Sequence, residues 1–316
     1  MNNFLVNWIE QYLFFPNILQ KLLSISLLPL TLLYCIITTF KRVTAKPQYF
    51  GIPVISIGNL LVGGTGKTPV TIALAKEKKD VAIVLRGYGR ASKGLFVISQ
   101  NGRILEDVNT SGDEAMLLAS SLPNATVIVS ENRIEAILKA KELKCKVVFL
   151  DDGYGKHEIF KFDILLRPKD EPTNIFCLPS GGYRDSKMMY SFADCVLKED
   201  VDFKRIVTFK NHENLIIETL PKNTILVTAI SKPYRLLEYL PQNIEMVSFP
   251  DHYTFTQKDI DTILDKFPFS MIITTAKDMV KLKEFDIHEK LLLMDLEVSV
   301  AEEVKEKVNT YIDNLV

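Results

Sequence analysis

The sequence predicts an α/β protein with a parallel-sheet domain, a second, smaller α/β lobe and a hydrophobic N-terminal helix. Three observations lead to this prediction. A glycine-rich segment lies between an apolar run and a helix-like run at 53–75. Short, apolar, β-rich runs then alternate with helical patterns, which is typical of a parallel sheet covered by helices. Finally, residues 22–40 contain no charged residue.

The glycine-rich segment, NLLVGGTGKTP at 59–69, predicts a P-loop. Glycines can adopt positive φ, so that backbone N–H groups face an anion, and the following helix N-terminus adds partial positive charge. Leu61 stands where the strict pattern has its first glycine. We expect Lys67 to reach the β- and γ-phosphates of a nucleotide and Thr68 to hold Mg²⁺. The predicted nucleotide-binding residues are Gly63, Gly64, Thr65, Gly66, Lys67 and Thr68.

The chain beyond the loop alternates between strands and helices. Strands are expected at 81–85, 126–129 and 147–150, and helices at 113–122 and 132–143. This order predicts that the loop belongs to a P-loop NTPase parallel sheet.

The regular alternation of strands and helices ends after residue 198. Two strand-like segments, at 205–209 and 215–218, are then expected to pair as a β-ribbon. A second alternating unit then begins at 224–228 and ends with a helix from Ala301. The predicted domains are therefore an N-terminal membrane-associated helical segment (1–46), a P-loop kinase domain (47–200), an inter-lobe β-ribbon (201–220) and a smaller α/β lobe (221–316).

Acidic residues and one histidine form the remaining candidate site. Asp151 and Asp152 follow an apolar strand, where carboxylates at its carboxyl end can bind Mg²⁺, although Asp-Gly turns are also common. Asp113 opens a helix, a position where an acid also favours the helix dipole. His252 follows a strand of the second lobe, where a structural hydrogen bond is the alternative. Asp185 ends a glycine-rich turn, which an ordinary loop also explains.

The uncharged N-terminal run leaves three interpretations open. A helix spanning the membrane would place the basic flank, Lys41 and Arg42, in the cytoplasm. A monotopic helix would lie in the headgroup region, with its polar interruptions on the wetter side. A core helix packed on the nucleotide-binding domain is the third.

Composition excludes several classes of protein. The formal net charge is −1, with acids and bases interspersed, which argues against a nucleic-acid-binding surface. The four cysteines form no C-x-x-C pair, so neither a zinc site nor a disulfide framework is indicated, and a reducing, cytoplasmic location is expected. No obligate protein partner is evident.

The motifs, taken in order, resemble one family. They are VGGTGKTP at 62–69, RGYGR at 86–90, GDE at 112–114, LDDGY at 150–154, LPSGGYRD at 178–185, FPDHY at 249–253 and TTAKDMVKL at 274–282. This series is similar to that of the bacterial tetraacyldisaccharide 4′-kinases, which phosphorylate a lipid A precursor, and the similarity spans nearly the whole chain.

The resemblance implies a function and roles for individual residues. The expected reaction is the ATP-dependent phosphorylation of the 4′-hydroxyl of a tetraacylated glucosamine disaccharide 1-phosphate, at the cytoplasmic face of the bacterial inner membrane. ATP and Mg²⁺ are the implied cofactors. Catalysis is assigned to Lys67, Asp113 and His252, the last two as a base dyad. The implied metal ligands are Thr68, Asp151, Asp152 and Asp185.

The chain also departs from the family pattern. Gly155, Lys156 and His157 follow Tyr154 where the family has Gln-His-Arg, so the roles of that Gln and His do not carry over. Asp185 replaces the usual Glu. An alternative function is a membrane-tethered P-loop ATPase, or nucleotide switch, that acts on a protein partner. A switch needs no base directed at an acceptor hydroxyl, whereas a kinase does.

Overall fold

The computed structural model describes residues 3–230, 233–251 and 253–315. The α-helices are Asn3–Phe14 (α1), Ile18–Ser26 (α2), Leu28–Thr44 (α3), Lys67–Ala75 (α4), Val108–Ser111 (α5), Asp113–Ser121 (α6), Arg133–Glu142 (α7), Gln257–Lys266 (α8), Ala276–Leu282 (α9) and Glu302–Asp313 (α10). Short 3₁₀ helices cover Lys187–Phe192, Pro233–Tyr239 and His288–Lys290.

The β-strands confirm the predicted alternation. They are Val54–Asn59 (β1), Val81–Leu85 (β2), Phe96–Gln100 (β3), Arg103–Ile104 (β4), Thr126–Val129 (β5), Val147–Asp151 (β6), Phe162–Arg167 (β7), Cys195–Lys198 (β8), Phe203–Lys210 (β9), Ile216–Ile217 (β10), Thr224–Thr228 (β11), Glu245–Ser248 (β12), Met271–Thr275 (β13) and Leu291–Val300 (β14).

Backbone contacts divide the chain into two compact units. The first unit comprises Met1–Leu74, Ile137–Lys204 and Val300–Val316, and the second comprises Ala75–Ala136 and Arg205–Ser299. Both units are discontinuous in sequence, whereas the predicted domains are continuous. The boundaries predicted from the sequence stay a prediction.

The first unit contains four parallel strands in the order β6-β1-β7-β8. Every residue of β1 and β6 is buried, as expected for strands covered on both faces. Ile57 of β1 lies beside Asp151 of β6, so the ends of these two strands come together. The acids at the end of β6, Asp151 and Asp152, and the loop after β1 therefore share one edge of the sheet.

The second unit contains two groups of strands. β2 and β5 are parallel, and β3 is antiparallel to both β5 and β4. A six-stranded sheet has the order β10-β9-β14-β13-β11-β12, in which β11 to β14 are parallel. The predicted pairing of the ribbon strands is confirmed, because β10 is antiparallel to β9. β9 is not confined to that ribbon, since it also borders β14.

The uncharged N-terminal run differs from the single helix expected. α2 ends at Ser26 and α3 begins at Leu28, with Pro29 in the first turn of α3. Proline lacks an N–H and its ring clashes with the preceding turn, which explains why the helix stops there. Among the described residues no single helix is long and apolar enough to cross a membrane. Taken together, α2 and α3, which are bent by 57° at their junction, are long and apolar enough by length and composition alone.

A buried carboxyl group fixes α9 to the six-stranded sheet. Asp278 is fully buried, and its Oδ2 accepts hydrogen bonds from Thr228 Oγ1 at 2.7 Å and the backbone N–H of Ala229 at 2.9 Å. Thr275, the N-cap of α9, donates to the same oxygen at 3.0 Å. The helix is therefore joined to the carboxyl end of β11.

We predict that Asp278→Ala lowers the free energy of unfolding by about 3 kcal/mol, because it leaves several buried donors without an acceptor. Urea denaturation measures the loss. Asp265→Ala, at an exposed position on α8, is the control and should change stability by less than about 0.5 kcal/mol. Equal stability of the two variants would show that Asp278 does not anchor α9.

Candidate active site

The glycine-rich loop connects β1 to α4 in the first unit. β1 ends at Asn59 and α4 begins at Lys67. Gly63 and Gly66 have φ values of 93° and 87°, a left-handed conformation that side chains with a Cβ rarely adopt. Leu61, which departs from the strict glycine pattern, is buried in a hydrophobic cluster. Its apolar side chain therefore packs the base of the loop.

The side chain of Lys67 lies between a neutral and an acidic group. Its Nζ donates to Asn59 Oδ1 at 3.2 Å and lies 3.8 Å from Asp152 Oδ1. The amide of Asn59 is itself fixed, because it donates to the carbonyl of Leu61 at 2.7 Å. Both contacts of the ammonium are long. A phosphate oxygen can therefore compete for it.

Thr68 and Asp151 place two hard oxygen atoms together. The Thr68 hydroxyl donates to Asp151 Oδ2 at 2.8 Å, and Asp151 is buried at the end of β6. Mg²⁺ in phosphate-binding sites takes one or two carboxylates, with the remaining ligands supplied by water and phosphate. These two residues fit that pattern.

Arg184 holds the second acid of the pair. Asp152 has a φ of 57°, and both of its carboxylate oxygens accept from Arg184, at 3.0 and 3.1 Å. The same guanidinium donates to the backbone carbonyl of Asn59 at 2.9 Å and to its side-chain oxygen. Arg184 therefore joins the acidic turn to the start of the glycine-rich loop.

Asp185 is engaged by an N-terminal helix. Arg42 of α3 forms an ion pair with Asp185 at 2.9 Å, and its guanidinium carbon lies 4.9 Å from the centre of the Tyr154 ring. In the part of the chain that the structure describes, no three or more His, Cys, Asp or Glu residues form a group able to hold a metal ion. The assignment of Asp152 and Asp185 as metal ligands stays a prediction.

Asp113 lies in the second unit, at the start of α6, and only 4 % of its surface is exposed. Its Oδ1 accepts from the backbone N–H of Glu114 at 3.0 Å. Its Oδ2 lies 2.9 Å from Lys281 Nζ and 3.7 Å from Lys277 Nζ. A buried carboxylate needs such compensation, because burial alone favours its neutral form.

His252, the predicted partner of Asp113, lies outside the described residues, and the dyad stays a prediction. Sequence reasoning missed Lys277 and Lys281 as site residues. Both lie in the motif TTAKDMVKL at 274–282. Their spacing of four residues, which places both on one helix face, was the available signal.

Helices α2 and α3 contact the rest of the first unit through polar side chains. Gln20, Ser24 and Thr31 are buried, and Thr31 Oγ1 donates to Ser180 Oγ at 2.7 Å. Ser24 donates to the carbonyl of Ser180, and the Tyr34 hydroxyl donates to the carbonyl of Arg184 at 2.6 Å.

The apolar side chains of the same helices point away from these contacts. Ile18 is 79 % exposed, Leu19 76 % and Val43 76 %. Further exposed apolar residues are Leu22, Leu23, Ile25, Leu30, Leu32, Leu33, Ile36, Ile37 and Phe40. This distribution is the reverse of that of a core helix. The interpretation of the segment as a core helix is therefore wrong.

Comparisons with known proteins agree on one family. A family model described as tetraacyldisaccharide-1-P 4′-kinase matches residues 23–316. A tetraacyldisaccharide 4′-kinase of Aliarcobacter butzleri is 60 % identical over 308 residues, which is 97 % of each chain. One of Helicobacter acinonychis is 45 % identical, over 96 % of this chain and 95 % of its own. A crystal structure of LpxK from Aquifex aeolicus, described as an apo form in complex with ATP, matches with a TM-score of 0.73 and 28 % identity, over 92 % of this chain and 99 % of that chain.

His157 generates a testable pH dependence. Burial, reinforced by nearby Arg42 and Lys161, lowers the pKa of His157 from 6.5 to about 4. Between these values the unfolded chain binds more protons than the folded one, so stability is fully present above pH 6.5 and falls as the pH drops towards 4. His157→Gln should flatten this decline in urea denaturation. His288→Gln, at an exposed position, is the control, and an unchanged slope in the His157 variant would contradict the assignment.

Proposed function

The chain belongs to the tetraacyldisaccharide 4′-kinase family, and from this we propose how its residues divide the work of the reaction. The enzyme uses ATP and Mg²⁺ to phosphorylate the 4′-hydroxyl of a tetraacylated glucosamine disaccharide 1-phosphate, a step of lipid A biosynthesis. One observation supports these roles most strongly. In the first unit, the glycine-rich loop, Lys67 and the acids Asp151 and Asp152 lie together at the ends of β1 and β6.

The glycine-rich loop binds the phosphates of ATP as a P-loop, and we assign the first unit to the P-loop NTPase fold on this basis. Positive φ at Gly63 and Gly66 supports the assignment, because this conformation turns backbone N–H groups towards one point. Lys67 moves from Asn59 and Asp152 to the β- and γ-phosphates. Its ammonium then neutralises charge that develops on the transferred phosphoryl group.

Thr68 and Asp151 hold Mg²⁺, and Asp152 and Asp185 complete the acidic surroundings. Mg²⁺ held there would neutralise charge on the phosphate oxygens and orient the transferred group. The Thr68 hydroxyl donates a hydrogen bond to Asp151 in the structure, so this pair is already positioned. Arg184 keeps Asp152 in its left-handed conformation beside the loop.

Asp113 accepts the proton of the 4′-hydroxyl, with His252 as its partner in a dyad. A sugar hydroxyl is a weak nucleophile until a positioned base removes its proton. The Asp113 carboxylate suits this role because it is buried and held on both oxygens. Its position on the first turn of α6 also favours the ionised form.

The N-terminal helices attach the enzyme to the inner membrane from the cytoplasmic side. Their exposed apolar residues would cost about 1.5–3 kcal/mol each to leave fully in water. The acyl chains of the substrate also lie in a bilayer, so an enzyme bound at its surface meets them there. Lys21 and Lys41, which are exposed, add positive charge suited to anionic lipids.

We predict that Lys67→Ala and Thr68→Ala each lower phosphoryl transfer by at least about 10²-fold, because each removes a group that stabilises charge on the phosphates. Transfer is measured with labelled ATP and disaccharide 1-phosphate in detergent micelles. Thr68→Ser keeps the hydroxyl and should retain most activity. Lys139→Ala, at a surface lysine of α7 paired with Glu142, is the control for charge. Near-normal transfer by folded Lys67 or Thr68 variants would exclude the loop from the mechanism.

We also predict that replacing Ile18, Leu19 and Leu22 together by Ser weakens binding to phosphatidylethanolamine–phosphatidylglycerol vesicles. At about 1.5 kcal/mol for each of the three side chains, a loss of roughly 4.5 kcal/mol of apolar insertion corresponds to about 10³-fold in partitioning. ATP binding should not change. A triple Ser variant at Leu215, Ile216 and Phe269, which are exposed in the second unit, is the matched control. Equal vesicle binding by the two triple variants would reject membrane attachment through α2.

A further inference from the structure

Helix α9 presents two lysines towards the start of α6. Lys277 and Lys281 are four residues apart and therefore lie on one face of the helix. Both ammonium groups lie within 4 Å of Asp113 Oδ2. Asp278, which also lies on α9, is buried and accepts hydrogen bonds from Thr228 and Ala229 at the end of β11. These bonds hold α9, and therefore both lysines, in place.

The two lysines differ in what else they contact. Lys281 Nζ is 2.9 Å from Asp113 and donates to the backbone carbonyl of Tyr253 at 3.2 Å. Lys277 Nζ is closest to Asp251, at 3.2 Å, and lies 3.7 Å from Asp113 and 4.0 Å from Glu114. Lys281 is therefore the closer partner of Asp113, whereas Lys277 divides its charge among three carboxylates.

Lys281 also links two motifs that are distant in sequence. Asp113 belongs to GDE, and Tyr253 belongs to FPDHY, directly after His252 in the chain. Only 9 % of the surface of Lys281 is exposed. A lysine is seldom buried to this degree unless its charge is paired. The ion pair with Asp113 supplies the opposite charge, and the carbonyl of Tyr253 accepts a further hydrogen bond from the ammonium.

We propose that Lys281 is the positioning residue that orients Asp113 and keeps it ionised for its role as general base. This rests on the proposed function of Asp113. An opposite charge within about 4–6 Å lowers the pKa of a carboxyl group by about 1–3 units, which counteracts the effect of burial. Lys281 does not touch the substrate in this scheme. It acts through Asp113.

Other charged groups near Asp113 determine how strongly the loss of the Lys281 charge affects the ionisation of Asp113. Glu114 and Asp251 are acidic and lie near Lys277, and the Asp278 Oδ1 lies 4.0 Å from Lys281. The guanidinium of Arg90, in the segment beside Gly112, pairs instead with Glu131. The three carboxylates outweigh burial and raise the pKa of Lys277, so that lysine is charged beside Asp113 at neutral pH.

The test is the pH dependence of kcat/KM for lipid phosphorylation in the full-length enzyme. Removing the charge in Lys281→Met should raise the pH of the acid limb by about 1–3 units and allow partial recovery of activity at higher pH. Lys281→Arg, which keeps the charge, should leave the limb in place. Lys277→Met should shift the limb in the same direction by less. Ionisations of ATP and lipid are common to all variants and cancel in the comparison.

Asp113→Asn separates this inference from the proposed function. If Asp113→Asn retains activity across the pH range, the assignment of Asp113 as base fails, and the inference fails with it. If Asp113→Asn is inactive and folded Lys281→Met has an unshifted acid limb, only the inference is overturned. Thermal unfolding followed by circular dichroism checks folding. Should Lys281→Met not fold, Lys281→Gln replaces it in the same measurement, where an unshifted limb overturns the proposal and a shifted limb supports it.

Discussion

The ion pair between Arg184 and Asp152 connects the parts of the first unit that are proposed to bind the nucleotide. The guanidinium contacts both oxygens of Asp152 and two oxygens of Asn59. Asn59 in turn accepts from Lys67. The loop, its lysine and the acidic turn are therefore parts of one network. A network of paired charges is maintained only if every member keeps a partner, which limits what each position can tolerate.

The N-terminal helices contact the segment 182–185, which contains Arg184. Tyr34 donates to the carbonyl of Arg184, and the next residue, Asp185, pairs with Arg42. Gly182 faces the Phe14 ring so closely that a Cβ there would lie 2.4 Å from a ring carbon. The helices proposed to meet lipid and the loop proposed to bind ATP thus both contact one short segment. The polar residues that interrupt the apolar sequence of α2 and α3, such as Ser24 and Thr31, therefore attach these helices to the rest of the first unit.

Much of this architecture could be predicted from the sequence, because short buried strands have a distinctive composition. The strands 81–85, 126–129 and 224–228 were predicted with the bounds that the structure has. The glycine-rich loop was equally clear, since glycine at 63 and 66 meets a backbone requirement. By contrast, periodicity could not show which face of α2 and α3 is buried, because their buried face is polar.

Long-range ion pairs were the least predictable features. Nothing in the local sequence around Arg42 specifies Asp185, and nothing around Lys281 specifies Asp113, because charge pairing depends on the tertiary fold. The spacing of Lys277 and Lys281 in the motif TTAKDMVKL did indicate that both lie on one face of a helix. Without a known position for α6, that spacing was equally consistent with a solvated helix face.

The central claim is that ATP consumption is coupled to phosphorylation of the lipid through a base in the second unit. It is tested most directly by measuring ADP and lipid 4′-phosphate together, for the wild-type enzyme and Asp113→Asn, in mixed micelles with disaccharide 1-phosphate. The account predicts one lipid phosphate for each ADP in the wild type and parallel loss of both products in the variant. Sustained ADP formation without lipid phosphorylation would contradict it and would favour a nucleotide switch.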